Sequence, residues 1–245
     1  MLASQMTSWG AFLFRWRGYL PLLLLPLVAV GISQFRYPFG SHALDVAWEM
    51  ACLAVAAAGE AVRIAAVGFA PKGTSGRNTR RIKADALNTT GMYSIVRHPL
   101  YLGNFLIFAS FLLFVGPWWL VVIGSLIYWL YYERIMLAEE AFLRQRHGER
   151  FVQWAAQTPA VWPRIRRWRR PELPFSLRSV IRREYTTIFL ILGVFTAIEV
   201  AGDLVVHRHL EFEPLWRILF FTALAFYLAV RILKKWTGLL EAPGR

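Results

Sequence analysis

The 245-residue sequence has one cysteine and few acidic residues. A single cysteine, Cys52, excludes a disulfide-stabilised scaffold, and its position in an apolar run is typical of a small buried hydrophobic residue. Against 15 Asp and Glu stand 28 Lys and Arg, which gives a formal net charge of +13. In a soluble protein such an excess would indicate nucleic-acid binding, so the positions of the cations decide between partners.

Charged residues as a whole are scarce, at 18% of the chain, whereas 57% of the residues are hydrophobic and 16% are aromatic. A soluble domain is roughly half apolar, and a disordered chain is much more polar. The composition therefore excludes disorder and predicts a protein embedded in a lipid bilayer.

Six hydrophobic segments approach the roughly 20 apolar residues that a bilayer-spanning helix needs. They cover residues 19–33, 43–69, 100–115, 118–137, 186–206 and 214–233. The Gly116-Pro117 dipeptide is a turn signal and predicts a helical hairpin between the third and fourth segments. The first segment also resembles the apolar part of a secretory signal, but no clear cleavage site follows it, so we expect a retained span. The sequence predicts an all-α, polytopic membrane helix bundle with about six transmembrane helices.

Two loops hold most of the cations: residues 70–97 contain six of the 28, and residues 133–184 contain twelve. Cytoplasmic loops are enriched in Lys and Arg, so both loops and both chain termini are predicted to be cytoplasmic. Within the second loop, residues 162–171 mix tryptophan with arginine, a composition that also binds single-stranded nucleic acid. Next to membrane spans we predict contact with an anionic lipid surface instead, and no nucleic-acid partner.

The most informative stretch lies where the first basic loop enters the third segment, and it reads Arg97-His98-Pro99-Leu100-Tyr101-Leu102-Gly103. Pro99 suits the first turn of a helix, whose free N–H groups favour an anion. His98 and Tyr101 are three residues apart, so one helical edge presents an imidazole and a phenol. Gly103 permits close approach of a ligand or a helix. Either these groups form a binding site, or they anchor the helix at the lipid headgroups.

A second polar feature, the pair Glu139-Glu140, ends the fourth segment, which returns to the same membrane face as His98. Adjacent residues on a helix point about 100° apart, so the pair is not expected to face one point jointly. We expect one carboxylate to face the bundle and the other the lipid surface or the arginines of the loop. The alternative is a solvated helix end, or pairing with Arg134, Arg144 or the arginines later in the loop.

Polar residues elsewhere in the spans are few. Glu60 and Arg63 lie three residues apart in the second segment and are expected to pair with each other. Glu199 and Asp203 in the fifth segment are expected near the water interface at the outer face. No metal site is predicted, because the neighbouring histidines His207 and His209 have no further ligands in the sequence around them.

Together the polar features resemble the membrane-integral isoprenylcysteine carboxyl methyltransferase and phospholipid methyltransferase family. Its signature is Arg-His-Pro-x-Tyr-x-Gly before an apolar hairpin, followed by a Glu-Glu pair and a Gly eight residues later. The matching elements here are Arg97 to Gly103, the Gly116-Pro117 hairpin, Glu139-Glu140 and Gly148. The preceding Leu-x-Thr-x-Gly-x-Tyr is matched by Leu87, Thr89, Gly91 and Tyr93. The similarity covers residues 63–163.

The resemblance implies an enzyme that uses S-adenosylmethionine as its cofactor. The cofactor-binding residues that it implies are Leu87, Asn88, Tyr93, His98, Pro99, Leu100, Tyr101, Gly103, Glu139 and Glu140. It implies catalytic roles for His98 and for Arg134, the arginine nearest to the position at which relatives meet the acceptor. Residues 1–170 then form the methyltransferase core, and residues 171–245 form a C-terminal extension of two membrane helices.

The predicted function is methyl transfer to a lipid or lipid-linked carboxylate or amine at the cytoplasmic face. One alternative is an NADPH-dependent membrane oxidoreductase, because sterol reductases carry a similar Arg-His-x-x-Tyr-x-Gly element. In those enzymes Asp or Glu usually follows the glycine, whereas Asn104 follows it here. A second alternative is a non-enzymatic membrane protein with the same fold. The sequence gives no indication of the oligomeric state.

Overall fold

The computed structural model describes residues 2–37, 41–71, 74, 86–210 and 212–242, and within these ranges its regular structure is helical, with no strand. The predicted all-α class is confirmed. The helices are α1 (Leu2–Trp16), α2 (Leu25–Ile32), α3 (His42–Gly68), α4 (Pro99–Val115), α5 (Trp118–His147), α6 (Glu149–Gln157), α7 (Leu177–His207) and α8 (Pro214–Trp236). Single 3-10 turns cover Leu20–Leu24, Gly91–Ser94 and Ile165–Arg167.

Four helices, α3, α5, α7 and α8, are long and apolar enough to cross a bilayer. A fifth span results only if Gln5–Trp16 and Leu20–Ile32 count as one, although they are bent by 89°. Helix α4 is apolar, but its 17 residues extend only about 26 Å, less than the roughly 30 Å of the hydrocarbon core. The expected count of about six spans is therefore not confirmed, whereas the hairpin at Gly116-Pro117 is.

The break in the first segment has a local cause. Pro21 and Pro26 each lie at the start of a helical element, where proline is tolerated because the N–H that it lacks has no partner there. Each proline therefore begins a new helix instead of continuing the preceding one. The N-terminal helix α1, which the sequence analysis did not predict, precedes this break and packs along α5.

The longest packed contact joins α3 to α4 near the cytoplasmic end predicted from the sequence. A Cβ atom placed on Gly59 would lie 2.7 Å from the Gly103 carbonyl oxygen and 2.9 Å from the Leu106 Cβ. Gly103 meets the same restriction, because its Cβ would lie 2.7 Å from the Gly59 carbonyl oxygen. Two glycines therefore let the backbones of α3 and α4 touch at the point where α4 begins.

Replacement of Gly59 by alanine is expected to lower the free energy of unfolding by about 1–3 kcal/mol, because the added methyl group overlaps the α4 backbone. Gly193→Ala is the matched control, since that helical glycine has no atom closer to an added Cβ than 4.0 Å. Its intrinsic gain in helix stability is up to about 1 kcal/mol. Thermal unfolding in detergent compares the two variants, and equal midpoints would contradict the close contact.

Arg63 joins three helices beside this contact. Its Nη2 lies 2.5 Å from Glu184 Oε2 on α7, and its Nη1 donates to Asn104 on α4. The predicted pair with Glu60 is present, with 3.4 Å between Arg63 Nε and Glu60 Oε2. The strongest partner is nevertheless Glu184, 121 residues away along the chain. This ion pair connects α7 to the α3–α4 unit.

The two basic loops differ in how far the structure describes them. Of the six cations in residues 70–97, all except Arg97 lie outside the described residues, namely Lys72, Arg77, Arg80, Arg81 and Lys83. The arginines of the loop at 133–184 all lie within the described part. The predicted cytoplasmic side of both loops and of the termini stays a prediction.

Candidate active site

The imidazole of His98 lies between the two adjacent carboxylates that end the apolar part of α5. Its Nε2 is 2.9 Å from Glu140 Oε1, and its Nδ1 is 3.6 Å from Glu139 Oε2. Tyr101, one turn further along α4, donates its hydroxyl to Glu139 Oε1 at 2.7 Å. The polar start of α4 and the polar end of α5 therefore form one cluster, which we call the His98 cluster.

The expectation that Glu139 and Glu140 would not face one point jointly was wrong, whereas Glu140 does contact an arginine of the first basic loop, Arg97. Their directions from the α5 axis do differ, but the His98 ring lies in the angle between them and meets one carboxylate with each nitrogen. A five-membered ring with nitrogens on opposite edges can contact two groups that do not face each other. The ring is only 8% exposed, so water competes little for either contact.

The two carboxylates are held unequally. Glu140 Oε1 accepts from Arg97 Nε at 2.8 Å as well as from His98, so one oxygen carries two charged contacts. Arg97 is fixed in turn by the carbonyls of Ala155 and Thr158, at 2.8 and 3.0 Å. Glu139 keeps one oxygen whose nearest cationic partner is 3.6 Å away. The Glu139 oxygen is therefore the better placed of the two to accept a hydrogen bond from a ligand.

The loop that carries His98 is clamped by residues 159–169, which follow α6. At Gly148 the chain has φ +54°, a left-handed conformation that favours glycine and lets α6 leave the line of α5. Backbone hydrogen bonds then join the two loops: Arg97 to Pro159 (2.8 Å), His98 to Ala160 (3.3 Å), Arg164 to Ile95 (3.0 Å) and Gly91 to Arg169 (3.0 Å). The Trp- and Arg-rich segment therefore positions the His98 cluster, a role that the sequence analysis did not predict.

The electrostatics of the cluster favour a charged imidazole. Burial alone would lower the pKa of His98, but the hydrogen bonds and charges of Glu139 and Glu140 outweigh it and raise the pKa above its ordinary value of 6.5. A protonated ring donates from both nitrogens, which matches its position between two acceptors.

Tyr93 faces the same cluster from the 3-10 turn before α4. Burial and the charge of Glu139 raise the pKa of its phenol, while Arg183 and Arg63 act in the opposite direction. These electrostatic partners place the phenol where α3, α5 and α7 converge. Its hydroxyl has no hydrogen-bond partner within the described residues, and a half-buried hydroxyl without a partner is available to a ligand.

Comparison with known proteins gives one family match. The sequence profile of the phospholipid methyltransferase family matches residues 66–150, which include the His98 loop, α4, the hairpin and both glutamates. This segment is similar to the phospholipid methyltransferase family. The resemblance stated from the sequence is thereby confirmed.

Three curated relatives are similar to part of the chain. A protein-S-isoprenylcysteine O-methyltransferase of Schizosaccharomyces pombe is 30% identical over 87 residues, covering 36% of this chain and 37% of that protein. The nickel-cobalt-cadmium resistance protein NccN of Alcaligenes xylosoxydans xylosoxydans is 29% identical over 140 residues, covering 56% and 62%. The cobalt-zinc-cadmium resistance protein CzcN of Cupriavidus metallidurans is 32% identical over 87 residues, covering 36% and 40%.

The chain thus spans less than two thirds of the length of each of these relatives. No solved structure matches the chain significantly. Helices α7 and α8 and most of α1–α3 lie outside the matched segment at residues 66–150.

The remaining predicted site residues differ in their burial and in their local contacts. Pro99 is buried at the start of α4, followed by Leu100, and Gly103 is occupied by its contact with α3. Leu87 is buried, and Asn88 accepts a hydrogen bond from the Thr90 backbone N–H at 3.2 Å within its own turn. The cofactor contacts of all these residues stay predictions.

Arg134 forms no hydrogen bond or ion pair with the described residues of the His98 cluster. Its guanidinium lies 3.0 Å from Glu133, its neighbour in the chain. Five and six residues separate Arg134 from Glu139 and Glu140, which places it about 140° and about 120° around α5 from them. Within the described residues it has no contact with His98 or Tyr101. Its catalytic role stays a prediction.

A cavity of about 730 Å³ adjoins the cluster between α6 and the clamping segment. It touches the cluster through Thr158, whose carbonyl binds Arg97. Its lining includes two tryptophans and four arginines, namely Trp154, Trp168, Arg150, Arg166, Arg167 and Arg169. Arginines in such a number suit an anionic group such as a carboxylate or a phosphate. The clustering of Trp and Arg in residues 162–171 was the sequence signal for this cavity.

Proposed function

We propose that the protein transfers a methyl group from S-adenosylmethionine to a lipid or lipid-linked acceptor. The observation that carries this proposal is the position of His98 between Glu139 and Glu140, on a segment of the phospholipid methyltransferase family. The pairing of a histidine at the start of one helix with acidic residues at the end of the next assembles a polar site at one end of an otherwise apolar hairpin.

The residues present fit this cofactor, which carries a cationic sulfonium, an ammonium group and a carboxylate. Glu139 has an oxygen whose nearest cationic contact is 3.6 Å away, and it can accept from an ammonium or a ribose hydroxyl. The hydroxyl of Tyr93 is a donor without a partner in the described part of the chain. The arginine-lined cavity beside Thr158 offers positive charge for the carboxylate.

The two glutamates then have different roles. Glu139 contacts the cofactor, while Glu140 positions His98 and Arg97 through its two contacts of 2.9 and 2.8 Å. The charged imidazole of His98 in turn keeps Glu139 oriented, together with the hydroxyl of Tyr101. Because each of these groups is fixed by another, the site is held in one arrangement before any ligand binds.

The bound cofactor supplies a methyl group that passes to the acceptor in one in-line displacement, in which the carbon–sulfur bond breaks as the new bond to the acceptor oxygen or nitrogen forms. The task of the chain is to hold the acceptor in line and to exclude water. A protein nucleophile is unnecessary, and Cys52 is buried in the apolar core of α3, in a cluster of buried residues to which the His98 cluster does not belong. A carboxylate acceptor needs no base, whereas an amine must lose its proton before it attacks.

A lipidic acceptor and a cytoplasmic site fit the surroundings of the cluster. Aromatic rings of α4 and α5 line the apolar side, with ring centroids 4.8 Å apart for Tyr101 and Tyr132 and 4.2 Å for Tyr128 and Tyr132. The arginines of residues 164–170 lie on the polar side, and an excess of arginine is typical of cytoplasmic loops. The two metal-resistance relatives indicate no acceptor, because their names state a resistance and no reaction.

The alternative of a nicotinamide-dependent reductase is less well supported. In those enzymes Asp or Glu usually follows the glycine that corresponds to Gly103. Here the residue at that position is Asn104, and its side-chain oxygen accepts a hydrogen bond from Arg63. The family match also names methyl transfer and not reduction.

Binding of radiolabelled S-adenosylmethionine and of NADPH to the purified full chain in lipid nanodiscs tests the proposal. We expect saturable binding of S-adenosylmethionine and none of NADPH. Incubation with labelled cofactor and membrane lipids should then place the label in a lipid-extractable product, heavier than its precursor by one methylene. Binding of NADPH alone, or of neither compound, would refute the proposal.

A further inference from the structure

A second polar cluster lies at the other end of the bundle. Asp45 and Glu49 are four residues apart on α3, and Glu199 and Asp203 are four residues apart on α7, so each pair shares one helix face. All four side chains are buried, with exposed fractions between 2% and 4%. Glu49 precedes Arg63 by 14 residues, which separates the two ends of α3 by about 21 Å. This acidic cluster is therefore distinct from the His98 cluster, and none of its residues lies in the matched segment.

The geometry of three of these side chains suits a single ion. One carboxylate oxygen each from Asp45, Glu49 and Glu199 lies within 4.8 Å of the other two. Oxygen ligands of Mg²⁺ or Ca²⁺ lie about 2.0–2.6 Å from the metal, so two ligands of one ion are at most about 5 Å apart. Three carboxylates from two helices are thus already within the span of one coordination sphere.

Glu49 and Glu199 lie close enough for their carboxyl groups to interact with each other. Apart from this contact, Glu49 Oε1 and Glu199 Oε2 have no hydrogen-bond partner within the described residues. The other oxygen of Glu49 accepts from Trp216 Nε1 at 3.2 Å, and Trp216 is itself completely buried. Neither glutamate forms an ion pair with Lys or Arg in the described part of the chain. A buried carboxylate oxygen without a partner is costly, so its retention in an apolar bundle points to a positively charged ligand.

We propose that Asp45, Glu49 and Glu199 bind a hard divalent cation, of the class of Mn²⁺, Mg²⁺ and Ca²⁺. The donors are all carboxylate oxygens, with no thiolate among them, and such a set favours hard cations over soft ones. The ion neutralises the acidic cluster and links α3 to α7, as the Arg63–Glu184 pair does at the other end of the same two helices. Tyr37 and Asp203, joined by a hydrogen bond of 3.2 Å, border the site.

Titration of the purified, chelator-treated full chain with Mn²⁺, followed by the EPR signal of the free ion, tests this site. We expect one ion per chain in the wild type and a rise in the thermal unfolding midpoint when it binds. Glu199→Gln should weaken binding at least tenfold and remove the rise. Glu60→Gln, which neutralises another buried carboxylate of α3, is the matched control and should retain both.

A measurement in the presence of chelator distinguishes loss of the site from loss of the fold. Without metal, Glu199→Gln replaces one of several neighbouring buried carboxyl groups by a neutral side chain of nearly the same shape, so its unfolding midpoint should equal or exceed that of the wild type. The proposal is overturned if the wild type binds no Mn²⁺, if Glu199→Gln binds as tightly as the wild type, or if Glu139→Gln abolishes the binding instead.

Discussion

Replacement of Glu139 by glutamine is expected to weaken the binding of S-adenosylmethionine about 100-fold while leaving the fold intact. A hydrogen bond to a charged group contributes about 1.5–3 kcal/mol, which corresponds to roughly 10- to 150-fold in affinity. The glutamine side chain has nearly the same shape, and its carbonyl oxygen can still accept from the Tyr101 hydroxyl, which lies 2.7 Å from the carboxylate. The change therefore removes the negative charge that faces the ligand and the His98 ring, while His98 keeps its contact of 2.9 Å with Glu140. Equilibrium binding of labelled cofactor and thermal unfolding, measured on the same preparation, provide the two readouts.

Glu149→Gln is the matched control for this variant. Glu149 is exposed at the start of α6, ten residues further along the chain, and it forms no hydrogen bond or ion pair within the described residues. Its replacement should change neither affinity nor stability. Undiminished binding by Glu139→Gln would show that the cofactor site lies elsewhere, and a lowered unfolding midpoint would show that Glu139 is a structural residue.

The long helices could be predicted from the sequence because their apolar length is a local property. The second segment, predicted at 43–69, is α3 at His42–Gly68, and the Gly116-Pro117 turn separates α4 from α5. The first segment failed as a continuous span because Pro21 and Pro26 start new helical elements. Hydropathy averages over such breaks, and it also counts the 17-residue α4 as a span although its length falls short of the bilayer core.

The His98 cluster could be anticipated in its members but not in its geometry. Sequence reasoning placed His98 and the Glu139-Glu140 pair at one membrane face from the topology alone. It excluded joint contact because it considered the angle between neighbouring side chains and not the shape of the ring placed between them. Both nitrogens of His98 are engaged because a flat ring can enter the angle of about 100° that separates the two carboxylates.

Contacts between helices that are far apart along the chain could not be predicted from sequence patterns. Arg63 has a local partner in Glu60, three residues away, but its shorter contact is with Glu184 on α7. Glu49 and Glu199 likewise meet only because α3 and α7 pack side by side. In the sequence, each of these residues is an isolated charged side chain in an apolar helix. The clusters form only when the helices pack together in the folded bundle.

The His98 cluster should make the stability of the protein depend on pH above about pH 6.5. Because the pKa of His98 is raised above 6.5, its protonated form contributes its full stabilisation below about pH 6.5, and this contribution is lost as the pH rises through the pKa of the folded state. Deprotonation removes one of the two N–H donors that face Glu139 and Glu140, while Arg97 and Tyr101 keep their own contacts. Each hydrogen bond to a charged group contributes about 1.5–3 kcal/mol, so the expected loss is of that order.

Unfolding midpoints measured from about pH 6 to about pH 9 for the wild type and for His98→Gln isolate this effect. The glutamine amide keeps a donor but cannot titrate, so the advantage of the wild type should be largest at the acidic end and shrink towards the alkaline end. His209→Gln, which changes an exposed histidine after α7, controls for other titrations and should follow the wild type. Parallel curves for the wild type and His98→Gln would contradict the expected titration of the imidazole in this pH range, and a wild type without any advantage at the acidic end would mean that the ring is neutral throughout. A neutral ring would keep one N–H donor, so one of the two glutamates would lose its contact with His98 and keep only its contact with Arg97 or Tyr101.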